Sequence, residues 1–143
     1  MTKYAYHIET KRIRDKDFPY NNEDLSSPER VFQFCRTIQD LDIEKLIILH
    51  LNALNRLICI QLFSGTINSA VAFPREIIKH ALLSGSCNVI MVHNHPSGGL
   101  KFSDADIRLT RLVKEACTLV DIRLLDHVLI GDGQTSMQEQ GLI

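Results

Sequence analysis

The apolar positions of the chain fall into blocks of two kinds. The first kind is nearly continuous: Glu44–Asn52 (EKLIILHLN), Leu57–Phe63 (LICIQLF), Asn88–His93 (NVIMVH) and Leu124–Ile130 (LLDHVLI). Short runs rich in Ile, Leu and Val, bounded by polar residues, predict strands. Asn55-Arg56 separates the first two as a turn, so they read as a hairpin. The second kind has helical spacing. Ser27 then Pro28 offers a side-chain cap followed by a proline at the first helical position, and predicts a helix to about Ile38. Pro74 opens a second helix (PREIIKHALLSG), with Ile77, Ile78, Ala81 and Leu82 as its apolar face and Gly85 just past its end. Ser103 can cap a third, from Asp104 to about Val120, with Leu109, Leu112, Val113, Ala116 and Val120 as its buried stripe. Tyr4–Arg14 partly alternates and predicts a further strand. Asp15–Ser26 is polar, holds Pro19 and Asn21-Asn22, and predicts a loop. Interleaved helices and strands predict an α/β fold, a mixed central sheet flanked by helices in a single domain.

A chain of 143 residues is long enough to bury roughly 70% of the surface its unfolded form exposes. No repeat or linker divides it. The net charge of −1 gives no support to a nucleic-acid partner, which is usually met by a basic excess or stripe. Cys35, Cys59, Cys87 and Cys117 form no CxxC pair, and each lies in or beside an apolar stretch. They are expected to be small buried hydrophobes, which points to a reducing compartment. Residues 1–15 have no signal-peptide core, and no apolar run reaches membrane-spanning length. The expectation is a cytoplasmic protein with no membrane partner.

The candidate chemistry lies in MVHNHPSGGLKFSDAD, residues 91–106. His93 and His95 are two apart at the end of an apolar strand, so both imidazoles point to one face while Asn94 points to the other. Pro96 ends the strand and Ser97-Gly98-Gly99 lets the chain turn back. The ten residues between His95 and Asp106 are enough for a loop and a first helical turn, which would return Asp106 to the histidines. Two imidazoles and a carboxylate match a catalytic zinc with its fourth position open to water, and zinc lowers the pKa of that water to about 7. The same residues also read as two structural histidines, with Ser103 and Asp106 resembling a capping box in which Asp replaces Glu. Spacing alone leaves both readings open. The three letters His-Asn-His do not define a nuclease fold.

His-x-His, seven residues, then Ser-x-x-Asp resembles the signature of the JAMM (MPN-type) zinc metalloproteases. The wider text, GTINS, PRE, HNHPSG and LLDHVLIGDG, resembles the RadC family of bacterial JAMM-domain proteins, from about Ser27 to the C-terminus. The resemblance implies a JAMM/MPN, cytidine-deaminase-like architecture over residues 27–143, preceded by a strand-and-loop extension over 1–26. It implies Zn²⁺ as cofactor, with His93, His95 and Asp106 as ligands. It gives Ser103 the task of helping to hold a tetrahedral oxyanion. Glu44, at the head of the first strand after the first helix, matches the family's general base. The implied activity is hydrolysis of a peptide or isopeptide bond in a peptide or protein substrate.

Full-length members of the family usually carry an N-terminal helical domain suggestive of DNA binding. This sequence begins instead with a short segment of its own, so the resemblance implies no DNA-repair role. A zinc deaminase would need H-x-E and P-C-x-x-C, and neither occurs. The alternative to an enzyme is a non-catalytic RadC-like module of DNA repair or mobile elements, and the intact ligand set argues against it. His127, after Asp126 on the last strand, reads either as support for the ligands or as part of a satisfied core pair. His7, His50 and His80 have no metal-like spacing. Arg75 is expected in a surface ion pair.

Overall fold

A computed structural model describes residues 1–64 and 73–143. GTINS, residues 65–69, lies outside the described residues. In chain order come α1 (Pro28–Cys35), a 3₁₀ turn (Arg36–Ile38), β1 (Lys45–Leu51), β2 (Leu57–Ser64), α2 (Phe73–Ser84), β3 (Asn88–Asn94), α3 (Asp104–Leu119), β4 (Arg123–Gly131) and β5 (Gly133–Ser136). The five strands form one sheet in the order β2-β1-β3-β4-β5. β1 is antiparallel to both β2 and β3, β3 and β4 are parallel, and β4 and β5 are antiparallel. This is the expected α/β fold with a mixed sheet. No helix among the described residues is long and apolar enough to cross a membrane.

Local chemistry sets most of the boundaries. Ser27 caps α1, its Oγ accepting from the Arg30 N–H, with Pro28 in the first turn. The β1–β2 turn is held by Asn52, whose Oδ1 accepts from the N–H groups of Leu54 and Arg56. Asn55 there takes a φ of 58°, a conformation Asn tolerates better than most residues.

The sheet is covered on both faces. Leu46, Ile48, Val89 and Met91 pack beneath Ile77 and Ala81 of α2 and Leu109, Val113 and Cys117 of α3. Ile47, Leu49, Leu51, Ile90, Val92, Val128 and Ile130 pack against Leu25, Val31, Cys35 and Ile38 on the α1 side. All seven residues of β3 are buried, as expected for a central strand covered on two faces.

Several expectations are corrected. Tyr4–Arg14 forms no strand, and every residue of it is exposed. Leu82 of α2 and Leu112 of α3, assigned to buried faces, are 58% and 55% exposed. Cys35 and Cys117 are buried, but Cys59 is half-buried and Cys87 is exposed. β5 was not predicted at all.

Candidate metal centre

β3 and α3 bring the site together. Along β3, Val89, Met91 and His93 share the α2/α3 face of the sheet, as period-two alternation requires. His95 lies just beyond the strand, and its N–H donates to the Ile130 carbonyl of β4 at 2.9 Å. Ser103 caps α3 in a reciprocal box: its Oγ accepts from the Asp106 N–H at 3.0 Å, and Asp106 Oδ2 accepts from the Ser103 N–H at 2.7 Å. The capping reading of these two residues is therefore correct, and the same box holds the Asp106 carboxylate over the histidines.

Three atoms converge. Asp106 Oδ2 lies 3.3 Å from His93 Nε2 and 3.4 Å from His95 Nε2, and the two nitrogens are 3.1 Å apart. Among the described residues, these three side chains form a group that could hold a metal ion. Lone pairs of two imidazoles and a carboxylate facing one point need a proton or a cation between them, and the donor set is one that suits zinc. Burial raises the Asp106 carboxyl, but the contact with His93, its charge and the Ser103 N–H outweigh it and hold the group well below the usual carboxylate range. The carboxylate is thus ready to act as an anionic ligand.

The centre is closed below and open above. His93 and Asp106 are 0% and 2% exposed, while His95 and Glu44 keep 16% and 29% of their side chains in solvent. Glu44 Oε1 lies 3.9 Å from His95 Nε2. The structure thus brings Glu44 to the open side of the group. Ser103, also exposed, sits one helical turn from Asp106.

Asn94 explains how Glu44 is placed. It does point away from the imidazoles, and it is fully buried. Its Oδ1 accepts from the Lys45 N–H at 2.6 Å, and its Nδ2 donates to the Ile43 carbonyl at 3.0 Å. The residue between the two histidines therefore grips the backbone on both sides of Glu44. Its position between the two histidines was the available signal.

A second partner missed in the sequence is Thr110, one turn beyond Asp106 on α3. Its Oγ1 donates to the Asp106 carbonyl and contacts His127 Nδ1, both at 2.6 Å. His127 Nε2 lies 2.7 Å from His93 Nδ1. Phe102 packs on both rings, with centroids 6.2 Å from His93 and 5.5 Å from His127. Burial, then the neighbouring His93, pushes the His127 pKa well down, against the pull of Asp106. His7 is exposed, His50 is buried away from the group, and Arg75 is exposed on the first turn of α2.

The loop after His95 is latched to the end of β4. The Asp132 N–H donates to the Gly98 carbonyl at 2.8 Å. A Cβ on Gly131 would lie 2.5 Å from the Gly98 oxygen and 2.6 Å from that of Gly99. Only a glycine fits there with the loop in place. Gly98 itself has a φ of 83°.

A family model described as "RadC-like JAB domain" matches residues 25–142. A UPF0758 protein of Cellvibrio japonicus is 47% identical over 120 residues, covering 82% of this chain and 54% of that protein. One of Alteromonas mediterranea is 43% identical over 142 residues, covering 98% of this chain and 60% of that protein. One of Photobacterium profundum is 42% identical over 120 residues, with 82% and 54% covered. The chain spans little more than half the length of these curated relatives.

Proposed function

Because this chain belongs to the RadC-like JAB domain family, we propose that its His93–His95–Asp106 group holds zinc and that the domain is a hydrolase of peptide or isopeptide bonds. The observation that carries the reading is the convergence of His93 Nε2, His95 Nε2 and Asp106 Oδ2 beside the half-exposed carboxylate of Glu44. When bound, zinc would supply a Lewis acid and a water acidic enough to attack at neutral pH.

The side chains divide the remaining work. Glu44 takes a proton from the attacking water and passes it to the leaving amine, a contribution of roughly 10²- to 10⁴-fold. The Asn94 grip on Ile43 and Lys45 keeps that carboxylate aimed at the open side. The Ser103 hydroxyl uses a lone pair to cap α3, which leaves its proton free to donate to an oxyanion. The two tasks of Ser103 are compatible.

The test is metal analysis of protein purified without chelator, followed by hydrolysis of a peptide panel with and without chelator, on wild type and Glu44→Gln. About one zinc per chain, chelator-sensitive cleavage, and a Glu44→Gln protein that keeps zinc while losing cleavage are expected. A folded wild type that takes up no zinc, or cleavage indifferent to chelator, would overturn the reading.

A further inference from the structure

A neutral imidazole can serve a metal through either nitrogen, so the protein must settle which nitrogen of His93 carries the proton. The settlement can be followed bond by bond through three side chains that are each 0% exposed: Thr110, His127 and His93. It starts at the Asp106 carbonyl, 2.6 Å from Thr110 Oγ1. A carbonyl oxygen only accepts, so the single hydroxyl proton of Thr110 is committed to it. Toward His127 Nδ1, also at 2.6 Å, the hydroxyl has only a lone pair left, and Nδ1 must be the donor. Neither ring nitrogen of His127 meets an anion: the partners are a hydroxyl and an imidazole. With Nδ1 protonated in the neutral ring, Nε2 accepts. The atom 2.7 Å away, His93 Nδ1, therefore carries a proton, and the lone pair of His93 is on Nε2. That is the nitrogen facing His95 and Asp106.

We infer that Thr110 and His127 are positioning residues, which lock His93 in its Nδ1–H form and aim its Nε2 lone pair into the centre. The chain of hydrogen bonds begins on one member of the group, Asp106, and ends on another, His93. A shift of α3 against the sheet thus disturbs the carboxylate and the tautomer together. The fold makes a specific provision for the pair. β4 carries one extra residue, Leu125, opposite the Val89–Ile90 step of β3. Before it, Leu124 faces α3. Were residues 124–127 regularly alternating, His127 would face the α1 side. The irregularity places His127 opposite Met91, on the face of the group, as β-bulges beside functional sites do.

The inference uses the metal reading only for its consequence, so the experiment has two arms. In metal-free wild-type protein, ¹⁵N NMR of the imidazoles reports the tautomers directly, and His93 protonated on Nδ1 with His127 also protonated on Nδ1 is expected. Zinc affinity, measured by chelator competition, is expected to fall roughly 10- to 100-fold in Thr110→Val, the range for loss of a group that orients a ligand. Thr110→Ser, which keeps the hydroxyl, is expected to bind close to wild type. A packing role alone would lower the melting temperature of Thr110→Val and move neither tautomer nor affinity. His93 without a proton on Nδ1 in the wild type, or unchanged zinc affinity in folded Thr110→Val, would overturn the inference. If wild-type protein takes up no zinc, the metal reading fails, and the NMR arm decides the hydrogen-bond order by itself.

Discussion

Two groups of buried imidazoles lie under the same face of the sheet, and they end differently. In the group around His93, two nitrogens and a carboxylate oxygen face one another at 3.1 to 3.4 Å. In the other, His50 Nε2 lies 3.1 Å from Gln61 Oε1 and His80 Nδ1 lies 2.9 Å from Gln61 Nε2, with the rings stacked 6.2 Å apart. Gln61 also donates to the Glu76 carbonyl at 3.2 Å. An amide that both donates and accepts gives each imidazole a partner without any ion, though among the described residues His50 Nδ1 is left without one. A carboxylate only accepts, so it has no proton for an imidazole lone pair that faces it. Burial of histidine is common to both groups, and the difference is made by Asp106, which the capping box of α3 holds in place.

The sharpest way to break this contrast is to exchange the partners' losses. Asp106→Asn is expected to leave no zinc after dialysis, while His80→Ala keeps about one per chain, as read by elemental analysis of the two proteins side by side. Loss of zinc from His80→Ala would mean that the two groups are not separate.

Ser103→Ala divides the cap from the chemistry. As a cap alone, its loss costs about 1 kcal/mol of stability and leaves kcat nearly unchanged. As an oxyanion donor, its loss lowers kcat by roughly 10²- to 10³-fold. We expect the large fall together with retained zinc, with kcat and melting temperature measured on one preparation once a cleavable peptide is found. A normal kcat with a lower melting temperature would confine Ser103 to the helix end.

The smallest effect lies in the second group. Burial, outweighing the bond to Gln61 and joined by the nearby His80, pushes the His50 pKa down to about 4 from 6.5. The unfolded chain therefore binds a proton between these values that the folded one refuses. Stability from this source is complete above about pH 6.5 and is lost as the pH falls toward 4. At about 1.4 kcal/mol per unit the loss is at most roughly 3 kcal/mol. Melting temperature followed from pH 7 to 4.5 should fall less steeply in His50→Met than in wild type. An unchanged slope would show that His50 does not titrate on unfolding in this range.

What could be read from the sequence follows from how each element is stabilised. β1, β3 and β4 were legible because strands buried among apolar neighbours show as unbroken apolar runs, and β2, an edge strand mostly half-buried, carries such a run too. The buried face of α3 was misread because two of its positions are polar. The true stripe is Asp106, Leu109, Thr110, Val113 and Cys117; apolar periodicity puts Leu112, Ala116 and Val120 in place of Asp106, Thr110 and Cys117. β5, Gly-Gln-Thr-Ser, is a polar edge strand with no hydrophobic pattern, held by its pairing with Val128–Gly131. The convergence of His93, His95 and Asp106 was legible because spacing and a familiar motif coincide at them. The facing of His127 depends on one extra residue in β4, and no alternation rule applied to the sequence alone would give it.

The latch at Gly131 has a bearing on how this domain can be engineered. The Gly-Asp-Gly turn after β4 is a hairpin tip, where insertion or sequence randomisation is ordinarily harmless. Here a single methyl group at position 131 would collide with the backbone of the His95 loop. A tag or grafted peptide placed in this turn would therefore reach the centre as mechanical displacement. The exposed face of α2, with Arg75, Lys79 and Leu83, is the sounder place to build.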